Sequence, residues 1–361
     1  MLWALIKELA KKTQLSDIHI HADRPIAYRE HGEMKQLPDH VTKAKTIDSF
    51  LEEFLEKDDL EAFKKTKDHD FAIESDGLRF RVNAFQENNA HALILRIIST
   101  EIPTFEDLDL PAYIRTIPTL ETGLVLVTGP TGSGKSTTLA SVVDVINKTQ
   151  KGHIITIEDP VEFKHETQSS VVTQREVGRD TETFASALRA SLREDPDVIL
   201  VGELRDLETI QLALTAAETG HLVFGTLHTN SAPSTINRII DVFPPEQQEQ
   251  VRSQIASTLR CVITQKLLKR IDKAGRVAAF EIMICNAAIR NLIREDKVFQ
   301  IANSMQMGKA EGQMLMENSL KELIAKKVIL ESGINKVKRR NKSLVDKISA
   351  TIILQSYLEK I

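Results

Sequence analysis

One stretch, residues 125–138 with the sequence VLVTGPTGSGKSTT, limits what this chain can fold into more than any other. A continuous apolar run leads into a loop carrying Gly129, Gly132 and Gly134, and a helix-compatible segment, 136–147, follows. The pattern G-x-x-x-x-G-K-[ST] is met with no forced position, which predicts a strand, a phosphate-cradling loop and a helix in that order. Glycines matter here because a loop that wraps a triphosphate must point successive backbone N–H groups at it, often at positive φ, and a Cβ would hold the backbone away. The expected nucleotide contacts are Gly129, Thr131, Gly132, Ser133, Gly134, Lys135, Ser136 and Thr137. Lys135 offers a point charge to the β- and γ-phosphates, the Ser136 hydroxyl is a ligand for Mg2+, and the N-terminal dipole of the new helix adds to both.

With 361 residues the chain exceeds one comfortable core and suits two domains. It is 42% hydrophobic and 27% charged with a net charge of −4, the profile of a soluble globular protein with no global field to draw it onto nucleic acid or anionic lipid. No apolar run approaches the roughly 18 residues a membrane span needs. The opening MLWALIKELAKKT reads as an amphipathic helix rather than a secretory signal. Cys261 and Cys285 both sit in apolar runs, so buried free thiols are expected, and two cysteines cannot build a Cys-based zinc site.

Taken in order, Leu2, Leu5, Ile6 and Leu9 recur at helical spacing. Residues 17–23 alternate, placing Ile18, Ile20 and Ala22 on one strand face and Asp17, His19, His21 and Asp23 on the other. The His-x-His pair suggests a metal, but no third ligand is in view, and solvated or hydrogen-bonded histidines are the simpler expectation. Residues 46–65 read as one amphipathic helix. In 78–85, Leu78, Phe80, Val82 and Ala84 face one way and Arg79, Arg81 and Asn83 the other. A further strand, 92–98, is almost wholly apolar yet carries Arg96, which requires an anionic partner: a neighbouring carboxylate, or phosphates of another subunit. Pro103, Pro111 and Pro118 and an acidic cluster mark 101–118 as a linker between an N-terminal domain, 1–100, and a second domain, 119–361, helical from about 287. Beyond the glycine loop, strands and helices alternate, which implies an α/β fold with a mostly parallel, doubly wound sheet and ligands at the carboxyl ends of its strands.

Three polar clusters fall at expected strand ends: Glu158-Asp159, Glu203, and the histidines His221 and His228 that bracket LVFGTL. Phosphoryl transfer to water needs a carboxylate acting on Mg2+ or its water shell and a group that orients the attacking water. Glu203 suits the first task and Glu158 the second, although the two could exchange. For each acid a helix cap or ion pair is the alternative, and the histidines, if not structural, are placed to sense the γ-phosphate.

GPTGSGKSTT, ITIEDPVEF (155–163), DPDVILVGELRD (195–206) and GHLVFGTLHTNSA (220–232) together resemble the four signatures of the secretion-type ATPases, the hexameric motors of type II secretion and type IV pili. AIRNLIRE (288–295) is similar to a motif of the pilus-retraction, PilT-type branch, and LSDIHIHAD and RFRVNAF look like the N-terminal features that accompany it. The resemblance covers roughly residues 1–330. It implies a PAS-like α+β domain followed by a RecA-like ATPase domain, ATP and Mg2+ as substrate and cofactor, a homohexamer, and Arg81 and Arg96 acting as arginine fingers in the neighbouring subunit's site. In AIRNLIRE, Ile289, Leu292 and Ile293 form the apolar stripe, and Arg290 and Arg294 stand together at i,i+4, either as a solvated face or to meet an anionic partner.

Two stretches depart from the family pattern. Asp23-Arg-Pro-Ile-Ala-Tyr replaces an expected Gly-Pro-Pro-like turn, and the tail 335–361, first basic and then amphipathic, matches no family feature. The lack of a four-cysteine zinc insert argues against the assembly and type II secretion branches. The resulting expectation is an ATPase that powers pilus retraction at the cytoplasmic face of the inner membrane, docked on a membrane platform protein and binding no nucleic acid. The alternatives are a pilus-assembly or secretion ATPase and a nucleotide-gated switch with little turnover.

Overall fold

A computed structural model describes residues 2–11, 15–30, 33–98, 101–273 and 275–329. The tail 335–361, singled out above as unlike the family, lies outside these residues. The chain divides into two compact units, up to Glu101 and from Ile102 onward.

The first unit is built from α1 (Leu2–Ala10), β1 (Leu15–His21), β2 (Arg24–Glu30), β3 (Glu33–Thr42), α2 (Ala44–Phe54), α3 (Lys57–Thr66), β4 (Asp68–Ser75), β5 (Leu78–Glu87) and β6 (Ala90–Ile98). Its strands form one antiparallel sheet in the order β3-β2-β1-β6-β5-β4. The period-2 pattern of β1, β5 and β6 buries Ile18, Ile20, Phe80, Val82, Leu93 and Leu95 against Ile6 of α1 and Phe50 and Leu51 of α2. Trp3 closes this core with its ring 5.1 Å from that of Phe54 and 5.4 Å from that of Phe80.

One helix was expected over 46–65, and two are found. Leu55 and Glu56 leave the helix in extended conformation (ψ 139° and 161°), and Asp58 and Asp59 then occupy the first turn of α3, where carboxylates favour a fresh start. No glycine or proline marks the break, so apolar spacing alone ran through it.

The second unit contains β7 (Gly123–Thr128), α4 (Lys135–Thr149), β8 (His153–Glu158), β9 (Val171–Glu176), α5 (Phe184–Ser191), β10 (Val198–Val201), α6 (Leu207–Glu218), β11 (Leu222–Leu227), α7 (Ala232–Ile240), α8 (Pro245–Thr258), β12 (Leu259–Lys269), β13 (Arg276–Ile284), α9 (Ala287–Arg294), α10 (Ile301–Met307) and α11 (Met316–Ala325). The sheet order is β13-β12-β7-β11-β10-β8-β9, parallel throughout except for the β12–β13 hairpin. Strands buried on both faces read as unbroken apolar runs, as VILV of β10 and GLVLVT of β7 do. One face of the sheet packs against α5 to α9, the other against α4.

Of the expected linker, 101–118, the residues from Ile102 onward fall within this unit. Phe105, Leu110, Ile114 and Ile117 are buried in the core on the α4 side. The Ser141 hydroxyl donates to the Pro103 carbonyl at 2.6 Å, pinning the segment to α4. The prolines there shape a segment with no regular strand or long helix, which the sequence shows as lapsed periodicity although four of its apolar side chains are buried.

Candidate active site

Parallel pairing of β7, β11, β10 and β8 brings their carboxyl ends to one edge, and the glycine loop, Glu158, Glu203 and His228 all follow from those ends. Gly129, Gly132 and Gly134 take φ of 138°, 73° and 88°, so the loop runs through the left-handed region three times. A Cβ on Gly129 would stand 2.3 Å from the Gln265 carbonyl oxygen, so that position is closed to every other residue. Thr131 and Gly132 form the exposed tip, Ser133 is buried, and Ser136 and Thr137 lie in the first turn of α4.

The Lys135 ammonium donates to the carbonyls of Gly129 at 2.8 Å and Pro130 at 3.2 Å. Burial pushes its pKa down, while the charges of Glu203 and Glu162 oppose that shift. A half-buried cation, a buried Ser133 hydroxyl with no hydrogen-bond partner among the described residues and a cradle of positive-φ glycines fit a polyphosphate. A cavity of about 250 Å³ opens beside Gly134 and Thr137, walled by Leu108, Leu267, Arg270 and Arg276, large enough to continue the site beyond the phosphates.

The two acids sit in opposite environments. Burial raises the Glu158 carboxyl to about 7, against hydrogen bonds from Thr156 and Gln174 that lower it. Burial also works on Glu203, but Arg205 at 2.7 Å and His228 at 3.2 Å outweigh it and leave this carboxylate below its ordinary range. Carboxylates driven apart in this way are the usual signature of divided acid–base labour. Glu162, which sequence reasoning passed over, follows in the same acidic box and acts electrostatically on both Lys135 and Glu158.

His221 and His228 are not brought together. Strand β11 lies between them, so they are separated by roughly 20 Å at ~3.3 Å per residue. His221 sits at the amino end, away from the glycine loop, with Nδ1 2.9 Å from the Ala216 carbonyl. Within its own chain, His221 therefore does not contribute to the site.

Gln265 was also missed. It is 2% exposed on β12, its amide donates to the Ser133 carbonyl at 2.8 Å, and its oxygen accepts from the Thr138 hydroxyl at 2.9 Å. Beside it, the Thr264 and Thr128 hydroxyls are 2.8 Å apart. A Thr-Gln pair inside the apolar run CVITQKLL was the available signal, since buried polar side chains in a central strand need assigned partners.

Arg81 and Arg96 belong to the first unit, where they are directly opposite across β5 and β6. Arg96 Nε donates to Asp17 at 2.8 Å, and Arg81 lies 3.5 Å from Asp70. The ion-pair expectation for Arg96 is thus met by Asp17, yet the arginine side chain stays 67% exposed. His21 Nδ1 lies 2.7 Å from Glu87, and among the described residues no three metal-ligating side chains gather. In α9, Ile289 and Ile293 are buried and Leu292 packs beside them; Arg294 is exposed, whereas Arg290 is half-buried.

A family model described as Type II/IV secretion system protein matches residues 1–355. The chain belongs to that family. Among its relatives, the type IV pilus retraction ATPase PilT of Pseudomonas aeruginosa is 49% identical over 319 residues, covering 88% of this chain and 92% of that protein. A twitching motility protein of Neisseria gonorrhoeae is 46% identical over 317 residues, covering 88% and 85%. The crystal structure of the pilus retraction motor PilT with bound ADP superposes with a TM-score of 0.84 at 46% identity, covering 92% of this chain and 97% of that one.

Proposed function

We propose that this chain is a Mg2+-dependent ATPase that works as a homohexameric motor and powers retraction of type IV pili, and hence twitching motility. The observation that carries the reading is the glycine cradle with Lys135 at the same sheet edge as two carboxylates of opposite character, Glu158 and Glu203. In this reading the loop 129–134 and the first turn of α4 bind the triphosphate, with Lys135 turned from the loop carbonyls toward it. Ser136 and Glu203 would hold Mg2+, directly or through water, and the bound ion would neutralise charge on the phosphate oxygens. Glu158, with a carboxyl poised near neutrality, orients the attacking water and accepts its proton. His228 steadies Glu203.

The first unit reads as PAS-like and the second as RecA-like. Arg81 and Arg96 are assigned to the neighbouring subunit's site. Two guanidinium groups stand directly opposite on adjacent strands, and although Asp17 and Asp70 face them, the Arg96 and Arg81 side chains stay 67% and 43% exposed, so a further anionic partner can reach them. In this reading the chain works at the cytoplasmic face of the inner membrane, attached through a platform protein; no described helix is long and apolar enough to cross a membrane.

The test is Lys135→Ala, measured as steady-state phosphate release by the assembled protein and as surface motility in cells carrying only that variant. Turnover should be abolished, and cells should keep surface pili that do not retract. Hydrolysis near the wild-type rate would remove the assignment, and loss of the pili themselves would favour an assembly motor.

A further inference from the structure

The acidic-box strand β8 and its edge neighbour β9 place three polar side chains on one sheet face. Thr156 and Gln174 are direct cross-strand partners, and Glu158 lies two residues beyond Thr156. The Thr156 hydroxyl, on a residue 1% exposed, donates to Glu158 Oε1 at 2.7 Å. Gln174 Nε2 donates to that same oxygen at 3.3 Å and to the Phe163 carbonyl at 2.9 Å. The Gln174 oxygen accepts from the His165 N–H at 2.7 Å. These backbone contacts fix which way the amide points: the His165 N–H requires the oxygen and the Phe163 carbonyl requires the nitrogen, so the NH2 group must face Glu158.

We propose that Thr156 and Gln174 are positioning residues for Glu158, together fixing the carboxylate through one oxygen so that it is aimed at the attacking water. The proposal rests on the reading of Glu158 as the water-orienting group. Two donors converging on one oxygen define the plane of the carboxylate in a way a single bond would not. They also hold its charge, because donors to a buried carboxylate favour the ionised form that burial opposes. Other groups act on it too. Glu162, in the loop that follows, raises its pKa electrostatically while its N–H donates to it. Arg175 and Glu176 on β9, and Glu203 and Arg205 beyond β10, are the charged residues of the adjoining strands.

Glu158 titrates near 7 and must be ionised to accept a proton, so turnover falls as pH drops through that value. Removing a donor raises the pKa further and moves the acid limb to higher pH. The experiment is the pH dependence of kcat for the assembled protein in Thr156→Val, Thr156→Ser, Gln174→Met and Glu158→Gln. Thr156→Val, close in shape to threonine, and Gln174→Met should shift the acid limb up by about half to one pH unit, with turnover recovering in alkaline buffer and little change in KM. Thr156→Ser keeps the hydroxyl and should restore the wild-type profile. An equal loss of kcat at every pH in both donor-removing variants, or an unmoved limb, overturns the proposal even if Glu158→Gln is inactive. Near-normal turnover in Glu158→Gln would instead remove the reading of Glu158 on which the proposal depends.

Discussion

Gly129 shows how much of the site is decided by a single atom. At φ 138° an L side chain is strained, and a Cβ there would also lie 2.3 Å from the Gln265 carbonyl and 2.8 Å from the Ser133 hydroxyl. Gly129→Ala therefore forces the loop off β12 and should weaken ATP binding at least tenfold while leaving the first unit's core untouched; equilibrium binding of a fluorescent ATP analogue measures it, and wild-type affinity would contradict it. Glu158 and Glu203 make the complementary point: the same residue type is pushed up by burial in one place and held down by Arg205 and His228 in another. The glycines and Lys135 were legible because their spacing is local. The split between the two acids was not: Arg205 stands two residues from Glu203, but the burial that raises Glu158 and the approach of His228 to Glu203 are set by the fold.

At the scale of elements, β12 buttresses the phosphate loop. It pairs in parallel with β7 and inserts Gln265 between the Ser133 carbonyl and the Thr138 hydroxyl. Gln265→Leu keeps the volume and strips both bonds, leaving a buried carbonyl and a buried hydroxyl unsatisfied at about 1–3 kcal/mol each. Thermal unfolding should shift downward by several degrees and ATP affinity should fall with it; an unchanged melting temperature would mean the tether carries no load. The alternation of strand and helix was readable from residue 123 onward because buried parallel strands are unbroken apolar runs. The adjacency of β12 to β7 was not, since it joins segments more than a hundred residues apart through the sheet order. The break at Leu55 and Glu56 and the burial of Phe105, Leu110, Ile114 and Ile117 escaped for a related reason: the acidic pair Asp58-Asp59 is the first site's one local cue, the second has only lapsed periodicity, and packing settles the outcome. The pairing of His221 with His228 was misjudged although the information was present, for residues flanking one strand lie at opposite ends of the sheet.

At the scale of the whole molecule, the phosphate-binding machinery belongs to one compact unit and the arginine pair to the other. A ring of identical subunits in head-to-tail contact would let each first unit complete a neighbour's site, so that hydrolysis reports on subunit closure. This claim is tested most directly by mixing two inactive variants, Lys135→Ala, which retains both arginines, and Arg81→Ala/Arg96→Ala, which retains the phosphate loop, and measuring phosphate release by the reassembled hexamers. Each variant alone should hydrolyse ATP at least about a hundredfold more slowly than wild type. Random mixing should return about a quarter of the sites, each joining an intact loop to a neighbour's intact arginines. Mixtures no more active than their components, or an arginine variant that turns over at the full rate by itself, would contradict a site shared between subunits.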